Sequence, residues 1–221
     1  MKGIFITFEG TEGSGKTTQI SLLAERLRSM GHSVRTLREP GGTPIGEEIR
    51  HTLKHSPANH AMTSEAELLL MNASRAQLVR EVIRPALASG QIVLCDRFYD
   101  STTAYQGYGR ELDLRMVKNI IDVAVGDTRP DLTLVFVVPH EISESRLRAR
   151  QPTLPLTIKR DRFEEADHTF FARVAKGYQA IAAAEPQRVR QFDATGDVAS
   201  IQAAIWKQVQ PLLKRSDKLA R

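Results

Sequence analysis

"GIFITFEGTEGSGKTT", residues 3–18, joins a short apolar segment to a glycine-rich loop. Gly10, Gly15, Lys16 and Thr17 have the spacing G-x-x-x-x-G-K-[ST] of a phosphate-binding loop. Glycines let successive backbone N–H groups curl around an anion, and the following helix directs its positive end at the same anion. The pattern predicts a nucleoside triphosphate site in which Lys16 contacts the β- and γ-phosphates and the Thr17 hydroxyl binds Mg²⁺. The predicted ATP-binding residues are Gly10, Thr11, Glu12, Gly13, Ser14, Gly15, Lys16, Thr17 and Thr18.

The rest of the chain alternates short apolar segments with longer helical patterns. The apolar segments that predict strands are 3–8, 33–37, 91–95, 132–138 and 188–192. The helical patterns cover 16–30, 44–53, 64–88, 111–125, 141–150, 161–185 and 197–214. This alternation predicts an α/β fold of the P-loop NTPase class, with a parallel five-stranded sheet and helices on both faces. We expect one domain over residues 1–221, with functional residues just after the strands, where ligands bind in such folds.

The composition limits the classes of protein to consider. Hydrophobic residues make up 41% and charged residues 26%, as in globular proteins, and no apolar run approaches the ~20 residues of a membrane span. Cys95 is the only cysteine, so no intrachain disulfide can form and we expect the cytoplasm. A net charge of +5 suits either nucleic acid or small polyanions. Aromatic residues are only 6%, and outside the C-terminal tail the unbalanced base lies at 146–162, so we expect no nucleic acid or membrane partner.

Asp96 ends the apolar segment IVLCD, residues 92–96. A carboxylate at the tip of a buried strand beside a phosphate loop can hold Mg²⁺ through water. Thr17 and Asp96 are therefore the predicted metal-binding residues. The alternative is a structural aspartate that caps the next turn.

The stretch "DRFYDSTTAYQG", residues 96–107, predicts a second ligand beside the triphosphate. Arg97 follows the predicted magnesium ligand, and its guanidinium can clamp a second phosphate by two hydrogen bonds. Thr102, Tyr105 and Gln106 add hydroxyls, an amide and an aromatic ring, a set that suits a nucleobase and its sugar.

Two other stretches contribute to the same expectation. Arg38 and Glu39 stand at the carboxyl end of the second predicted strand, before the tight turn of "REPGGTP". Met71 and Arg75 are four residues apart in a helical pattern and therefore share one helix face. This places an apolar side chain beside a guanidinium with several N–H donors. An ordinary core position is the alternative for Met71.

These stretches together resemble the thymidylate kinase family of the bacterial type. "FEGTEGSGKTT", "REPGGTP", "SRAQ", "DRFYDSTTAYQG", "GDTRPDLTLVF" and "DRFE" occur in the family's order and cover nearly the whole chain. "REPGGT" and the pattern DR-x-x-x-S-x-x-AYQG are specific to this family, whereas the glycine loop alone indicates only a P-loop protein.

The resemblance implies a role for each residue around the second ligand, thymidine monophosphate. Arg97 would bind its phosphate, Arg75 would donate to thymine O4, and Thr102 would face N3. Tyr105 would stand near the sugar C2′, and Glu12 would face the 3′-hydroxyl. The implied substrate-binding residues are Glu12, Arg38, Glu39, Met71, Arg75, Arg97, Thr102, Tyr105 and Gln106.

The family's reaction is transfer of the γ-phosphate of ATP, with Mg²⁺, to thymidine monophosphate for DNA precursor synthesis, and the resemblance implies a homodimer. Its last catalytic arginine comes from the phosphate loop or from a lid. Here Gly13 stands where the loop type carries arginine, so the lid, at about 146–162, is expected to supply it. Arg148 and Arg150 are the candidates, alongside Lys16 and Arg97 as catalytic residues.

This sequence departs from the family at Met71, where a phenylalanine usually stacks on thymine, at Val137, where an aspartate is common, and in a long connection between Arg150 and Asp161. Two other functions remain as alternatives. One is a P-loop kinase of another pyrimidine monophosphate, since uracil lacks only the methyl group of thymine. The other is a nucleic-acid-stimulated ATPase.

Overall fold

The structure, a computed structural model, describes residues 3–150 and 167–219. Five parallel strands form one sheet in the order β2-β3-β1-β4-β5. The strands are β1 (Ile4–Gly10), β2 (Val34–Arg38), β3 (Ile92–Asp96), β4 (Leu132–Val137) and β5 (Val189–Asp193). Because all the strands run the same way, their carboxyl ends meet at one edge of the sheet.

Helices cover both faces of the sheet. They are α1 (Lys16–Ser29), α2 (Pro44–Lys54), α3 (Ser64–Leu78), α4 (Arg84–Ala88), α5 (Tyr99–Thr102), α6 (Leu114–Val125), α7 (His140–Arg150), α8 (His168–Ala184) and α9 (Val198–Leu219). Pro57–Ala61 forms a 3₁₀ turn, and π-helical segments at Val79–Ile83 and Thr103–Gly109 continue α3 and α5.

The sequence-based strands and the parallel sheet are confirmed, since each observed strand overlaps its predicted segment. The helical pattern at 64–88 is continuous, with one π-helical turn between α3 and α4. The first residues of the pattern at 161–185 lie outside the described residues, and α8 begins at His168. The helical segment over residues 99–109 was not predicted.

Buried side chains alternate along β1 and serve two separate apolar layers. Ile4, Ile6 and Phe8 pack with α1 and α9 on one face, whereas Phe5 packs with α3 and α6 on the other. This is the period of two expected of a strand that is covered on both sides. The layers fix β1 in the centre of the sheet, so the loop that follows it emerges at the middle of the carboxyl edge.

The strand register brings the ends of β1, β2 and β3 into line. Asp96 lies opposite Phe8 in β1 and opposite Arg38 in β2. Residues that follow these three strands therefore converge at one place. Over the described ranges, no helix has the length and apolar character needed to cross a membrane.

Candidate active site

The phosphate loop runs from Gly10, the last residue of β1, to Lys16, the first residue of α1. Lys16 is buried, and its ammonium donates to the carbonyl oxygens of Gly10 at 3.1 Å and Thr11 at 2.7 Å and contacts the Ser14 hydroxyl at 3.3 Å. Burial and then the Arg97 charge lower the pKa of Lys16 to about 8. The loop, the helix N-terminus and this ammonium together form a cradle for an anion.

Helix α7 packs directly on this loop. The Ser143 hydroxyl donates to the carbonyl oxygen of Glu12. Gly13 has φ +71°, and a Cβ there would lie 2.7 Å from the Ser143 carbonyl oxygen and 3.3 Å from Leu147 Cγ. The loop therefore has no room for a side chain at position 13, which fits the expectation that a catalytic arginine does not come from this loop.

Thr17 and Asp96 face each other across the mouth of the loop, with Thr17 Oγ1 donating to Asp96 Oδ2 at 3.2 Å. A hydroxyl and a carboxylate are the hard oxygen ligands that Mg²⁺ takes together with water and phosphate oxygens. Within the described ranges, no cluster of three His, Cys, Asp or Glu side chains could hold a metal ion. The hydroxyl and the carboxylate fit an ion that is shared with a bound phosphate chain.

A pocket of about 240 Å³ opens beside the loop. All nine residues predicted to bind the second ligand line it, and so do both predicted metal-binding residues. Their roles as ligands stay predictions, but the structure brings them together from segments that are far apart in the chain. The lining residues are Glu12, Thr17, Arg38, Glu39, Pro40, Arg50, Lys54, Met71, Arg75, Asp96, Arg97, Ser101, Thr102, Tyr105 and Gln106.

Arg97 connects the loop to this pocket. Its guanidinium forms an ion pair with Glu12 at 3.0 Å and contacts the hydroxyls of Tyr105 at 3.3 Å and Ser101 at 3.2 Å. Burial alone would raise the pKa of the Glu12 carboxyl, but the charges of Arg97 and Lys16 hold it well below its usual range. Glu12 is therefore a carboxylate that can only accept hydrogen bonds.

Arg75 is almost fully buried at the inner end of the pocket, and its five N–H groups are all engaged. Nε and Nη2 contact Glu39 Oε2 at 2.8 and 2.7 Å, and Nη2 also donates to the Phe98 carbonyl oxygen. Nη1 donates to Asn72 Oδ1 and to Thr102 Oγ1, both at 2.9 Å. Arg75 is thus held rigidly, and a base oxygen could reach it only by sharing one of these N–H groups.

Glu39 is the buried partner of Arg75, and its other oxygen, Oε1, has no hydrogen-bond partner among the described residues. Burial raises the pKa of the Glu39 carboxyl to about 6, although Arg75 acts in the opposite direction. The peptide bond that follows, Glu39–Pro40, is cis and turns the chain into the pocket wall.

The sequence analysis missed Arg50 and Lys54, which line the pocket from the last turns of α2. Their spacing of four residues, just after the loop "REPGGTP", is the signal that could have found them, because it puts both side chains on one helix face. It also missed Glu9, a fully buried acid one residue before the phosphate loop.

Arg148, the lid candidate whose side chain the structure describes, does not line the pocket. Arg148 is largely exposed and forms an ion pair with Glu144 one turn earlier in α7, at 2.9 Å. Arg146 donates to the carbonyl oxygen of Ala194, after β5. The lid connection at 151–166 lies outside the described residues, so its expected contribution stays a prediction.

A cationic pocket that meets a P-loop at the carboxyl edge of a five-stranded parallel sheet defines a P-loop nucleotide kinase. The family model described as thymidylate kinase matches residues 8–205. The chain therefore belongs to the thymidylate kinase family.

Individual relatives agree with this assignment. The chain is 50% identical over 202 residues to a thymidylate kinase of Syntrophotalea carbinolica, covering 91% of this chain and 93% of the relative. It is 48% identical over 216 residues to one of Pseudomonas fluorescens, covering 98% and 99%. The crystal structure of thymidylate kinase from Ehrlichia chaffeensis is similar with a TM-score of 0.74 at 33% identity, covering 95% of this chain and 99% of that one.

Proposed function

We propose that this protein transfers the γ-phosphate of ATP to thymidine monophosphate, giving ADP and thymidine diphosphate. The observation that carries the proposal is the junction of the two sites, because Glu12 and Thr17 of the phosphate loop line the same pocket as Arg97. Phosphoryl transfer needs alignment of donor and acceptor and neutralisation of charge rather than covalent help. The acceptor phosphate is itself a nucleophile at neutral pH, so no general base is required.

The charge of the pocket supports a dianionic acceptor. Its lining carries five basic and three acidic side chains. Arg97 is the proposed clamp for the acceptor phosphate, and Arg50 and Lys54 add positive charge from α2. The basic residues are Arg38, Arg50, Lys54, Arg75 and Arg97, and the acidic ones are Glu12, Glu39 and Asp96.

Thr102 and Arg75 form the proposed subsite for the base. Thr102 Oγ1 accepts one N–H of Arg75, which leaves a second lone pair for the N3–H of thymine and a proton to donate. O4 would share an Arg75 N–H, an arrangement that suits a carbonyl and disfavours the amino group of cytosine. Met71 would cover the ring face as an apolar wall.

Tyr105 and Glu12 form the proposed subsite for the sugar. The Tyr105 ring is buried and lies edge-on to Phe170 and Tyr178, with ring centroids 6.0 and 6.5 Å apart. A ring fixed in this way would crowd a ribose 2′-hydroxyl and favour a deoxyribose. Glu12, held as an anion by Arg97, would accept the 3′-hydroxyl proton in a hydrogen bond.

The donor side rests on the phosphate loop. Lys16 would exchange its contacts with the Gly10 and Thr11 carbonyls for the β- and γ-phosphate oxygens, where its charge offsets the charge that moves in transfer. Thr17 and Asp96 would hold Mg²⁺, which neutralises charge on the bridging phosphate oxygens when bound.

Of the two candidate lid arginines, Arg150 would approach the phosphates when both nucleotides are bound, whereas Arg148 would stay paired with Glu144. A second copy of the chain is the proposed partner, through the outer faces of α3 and α6. The cytoplasm is the proposed location, since the single Cys95 is a buried free thiol.

The test is a coupled ADP-release assay with ATP and a panel of deoxythymidine, deoxyuridine, uridine and deoxycytidine monophosphates. Thymidine monophosphate should give the highest kcat/KM. Lys16→Ala should lower kcat by ~10²–10³, the usual effect of losing a preorganised charge. Lys207→Ala, an exposed lysine of α9, is the matched control and should be active. Equal or better turnover of uridine monophosphate would overturn the substrate assignment.

A further inference from the structure

Glu9 is a fully buried carboxylate to which the transfer reaction itself gives no task. Its Oε1 accepts the Phe98 N–H at 2.7 Å. Its Oε2 accepts the Ser101 hydroxyl at 2.5 Å and the Tyr178 hydroxyl at 3.1 Å. A buried carboxylate is costly unless hydrogen bonds satisfy it, and here three donors from two other segments do so. These donors surround one functional residue, Arg97.

The backbone of Arg97 is held from β1 on both sides. Arg97 has φ +67°, a left-handed conformation that is rare and strained for a residue with a side chain. Its own N–H donates to the Phe8 carbonyl oxygen at 2.9 Å, and the next N–H, of Phe98, donates to the Glu9 carboxylate. Two successive residues of β1, Phe8 and Glu9, therefore accept hydrogen bonds from the two amides that flank the Arg97 Cα.

The side chain of Arg97 is held through the same carboxylate. Arg97 Nη1 donates to Ser101 Oγ at 3.2 Å, and Ser101 directs its own proton to Glu9. Ser101 can accept from Arg97 in this orientation because its proton is committed elsewhere. Tyr178 brings α8 into the cluster, since its hydroxyl contacts Ser101 at 3.0 Å as well as Glu9.

We propose that Glu9 is a positioning residue that holds the Arg97 guanidinium in the orientation that binds the acceptor phosphate. Through its hydrogen bond to Glu9, Tyr178 links this orientation to α8. The inference rests on the proposed function, because it takes the acceptor phosphate as the ligand of Arg97. Glu9 is not among the residues that line the pocket. Its hydrogen-bond donors lie on the segment after β3 and on α8, so we expect its main effect on the acceptor side.

Glu9→Gln is the primary variant, because it keeps the size of the side chain and the acceptor for Phe98 N–H. It turns the other oxygen into an amide donor that faces two hydroxyl donors, so the orientation of Ser101 is lost. At pH 8, where the Glu9 carboxyl is ionised, we expect the KM for thymidine monophosphate to rise about tenfold or more, while the KM for ATP stays within twofold. An equal rise in both KM values, or a rise in neither, would overturn the proposal.

A double-mutant cycle separates positioning from general support. In an Arg97→Ala background, Glu9→Gln should change the dissociation constant of thymidine monophosphate less than twofold, measured by an NMR titration that reaches millimolar values. A further tenfold loss in that background would show that Glu9 acts without Arg97 and would overturn the proposal. Thr7→Val is the matched control, because Thr7 is another buried polar residue of β1, paired with Thr133 at 2.8 Å, and its acceptor KM should stay within twofold.

Tyr178→Phe serves if Glu9→Gln does not fold, because it removes one donor and leaves the carboxylate. It should raise the acceptor KM about threefold with the ATP KM unchanged, and an unchanged acceptor KM would count against the proposal. Failure of the wild-type protein to bind or use thymidine monophosphate would overturn the proposed function instead, so the two failures are distinguishable.

Discussion

Met71 is a half-buried side chain in the wall of the pocket, packed against the cluster that contains Tyr105 and Phe170. A phenylalanine at this position should stack on the thymine ring and tighten acceptor binding. An aromatic pair contributes roughly 0.5–1.5 kcal/mol beyond burial, so Met71→Phe should lower the acceptor KM by a few-fold to about tenfold. Steady-state kinetics measure this, with Met30→Phe, an exposed methionine, as the control. A higher KM would mean that the pocket is shaped around the thioether.

The shifted pKa of the Glu9 carboxyl predicts how the stability of the protein depends on pH. Burial and then the Asp100 charge raise the pKa of the Glu9 carboxyl from its ordinary value of 4.5 to about 7. The folded state then binds a proton that the unfolded state releases between about pH 5 and pH 7, so this group makes the free energy of unfolding fall as pH rises through that window. The charged and titratable groups around it are Lys16, Cys95, Arg97, Asp100, Tyr105 and Tyr178.

Glu9→Gln should remove this contribution. The decline in the free energy of unfolding between pH 5 and pH 7 should shrink by on the order of 1–3 kcal/mol, measured by urea unfolding at each pH. Glu39, whose pKa is raised to about 6, contributes with the same sign and stays in the variant, so the difference between the two proteins isolates Glu9. Parallel curves for the two proteins would contradict the assignment.

The residues of the pocket were largely predictable, whereas Glu9 was not. Arg38, Arg97 and Asp96 follow predicted strands, and in a parallel sheet such residues must converge. Glu9 carries no such signal, because its environment depends on hydroxyls 92 and 169 residues further along the chain. A sequence does not show which distant side chains will surround a given acid.

At the scale of elements, the strands were predictable, β3 and β4 most clearly because they are nearly continuous apolar runs, but the helical segment at 99–109 was not. Its sequence "YDSTTAYQGYG" is rich in hydroxyls and glycine, which are weak helix formers. Tertiary packing sustains it instead: a Cβ at Gly109 would lie 2.6 Å from the Phe170 ring, and one at Gly177 would lie 3.0 Å from Tyr108. The close approach of α8 thus explains a π-helical segment that propensity alone disfavours.

Helix α7 distinguishes between the two lid arginines. Ser143 and Leu147 define its face toward the phosphate loop. At about 100° per residue, position 150 falls within about 20° of Ser143, whereas position 148 falls about 140° away. Arg148 is accordingly exposed and paired with Glu144.

Arg150→Ala should therefore lower kcat by at least ~10², in line with other arginines that stabilise phosphoryl transfer, with little change in the acceptor KM. Arg148→Ala should stay within about threefold of wild type and serves as the matched control. Circular dichroism would confirm folding. A large loss of kcat in the Arg148 variant, together with an unchanged kcat in the Arg150 variant, would mean that the helix turns or unwinds when the lid closes.

At the scale of the whole molecule, the sheet places the phosphate loop and the pocket side by side and leaves exposed apolar side chains elsewhere. The parallel sheet and the site edge follow from strand–helix alternation, so they were predictable. The positions of exposed apolar side chains were not predictable, because exposure depends on which helices become neighbours. α3 and α6 pack together, and each carries a large exposed apolar side chain. These are Leu69 on α3 and Val123 on α6, which are 56% and 77% exposed.

This surface is the expected contact in a homodimer. Large exposed apolar side chains on adjoining helices mark an association site, and a stable interface buries roughly 1,200–2,000 Å² in total. The double variant Leu69→Glu, Val123→Glu places charges in the centre of such a contact, so light scattering should show the mass falling from two chains to one. Val198→Glu, a half-exposed valine at the start of α9, is the matched control and should stay dimeric. Because α3 also carries Met71 and Arg75, loss of the partner should loosen that helix and raise the acceptor KM more than the ATP KM. A wild-type protein that is monomeric at micromolar concentration would contradict this use of the surface.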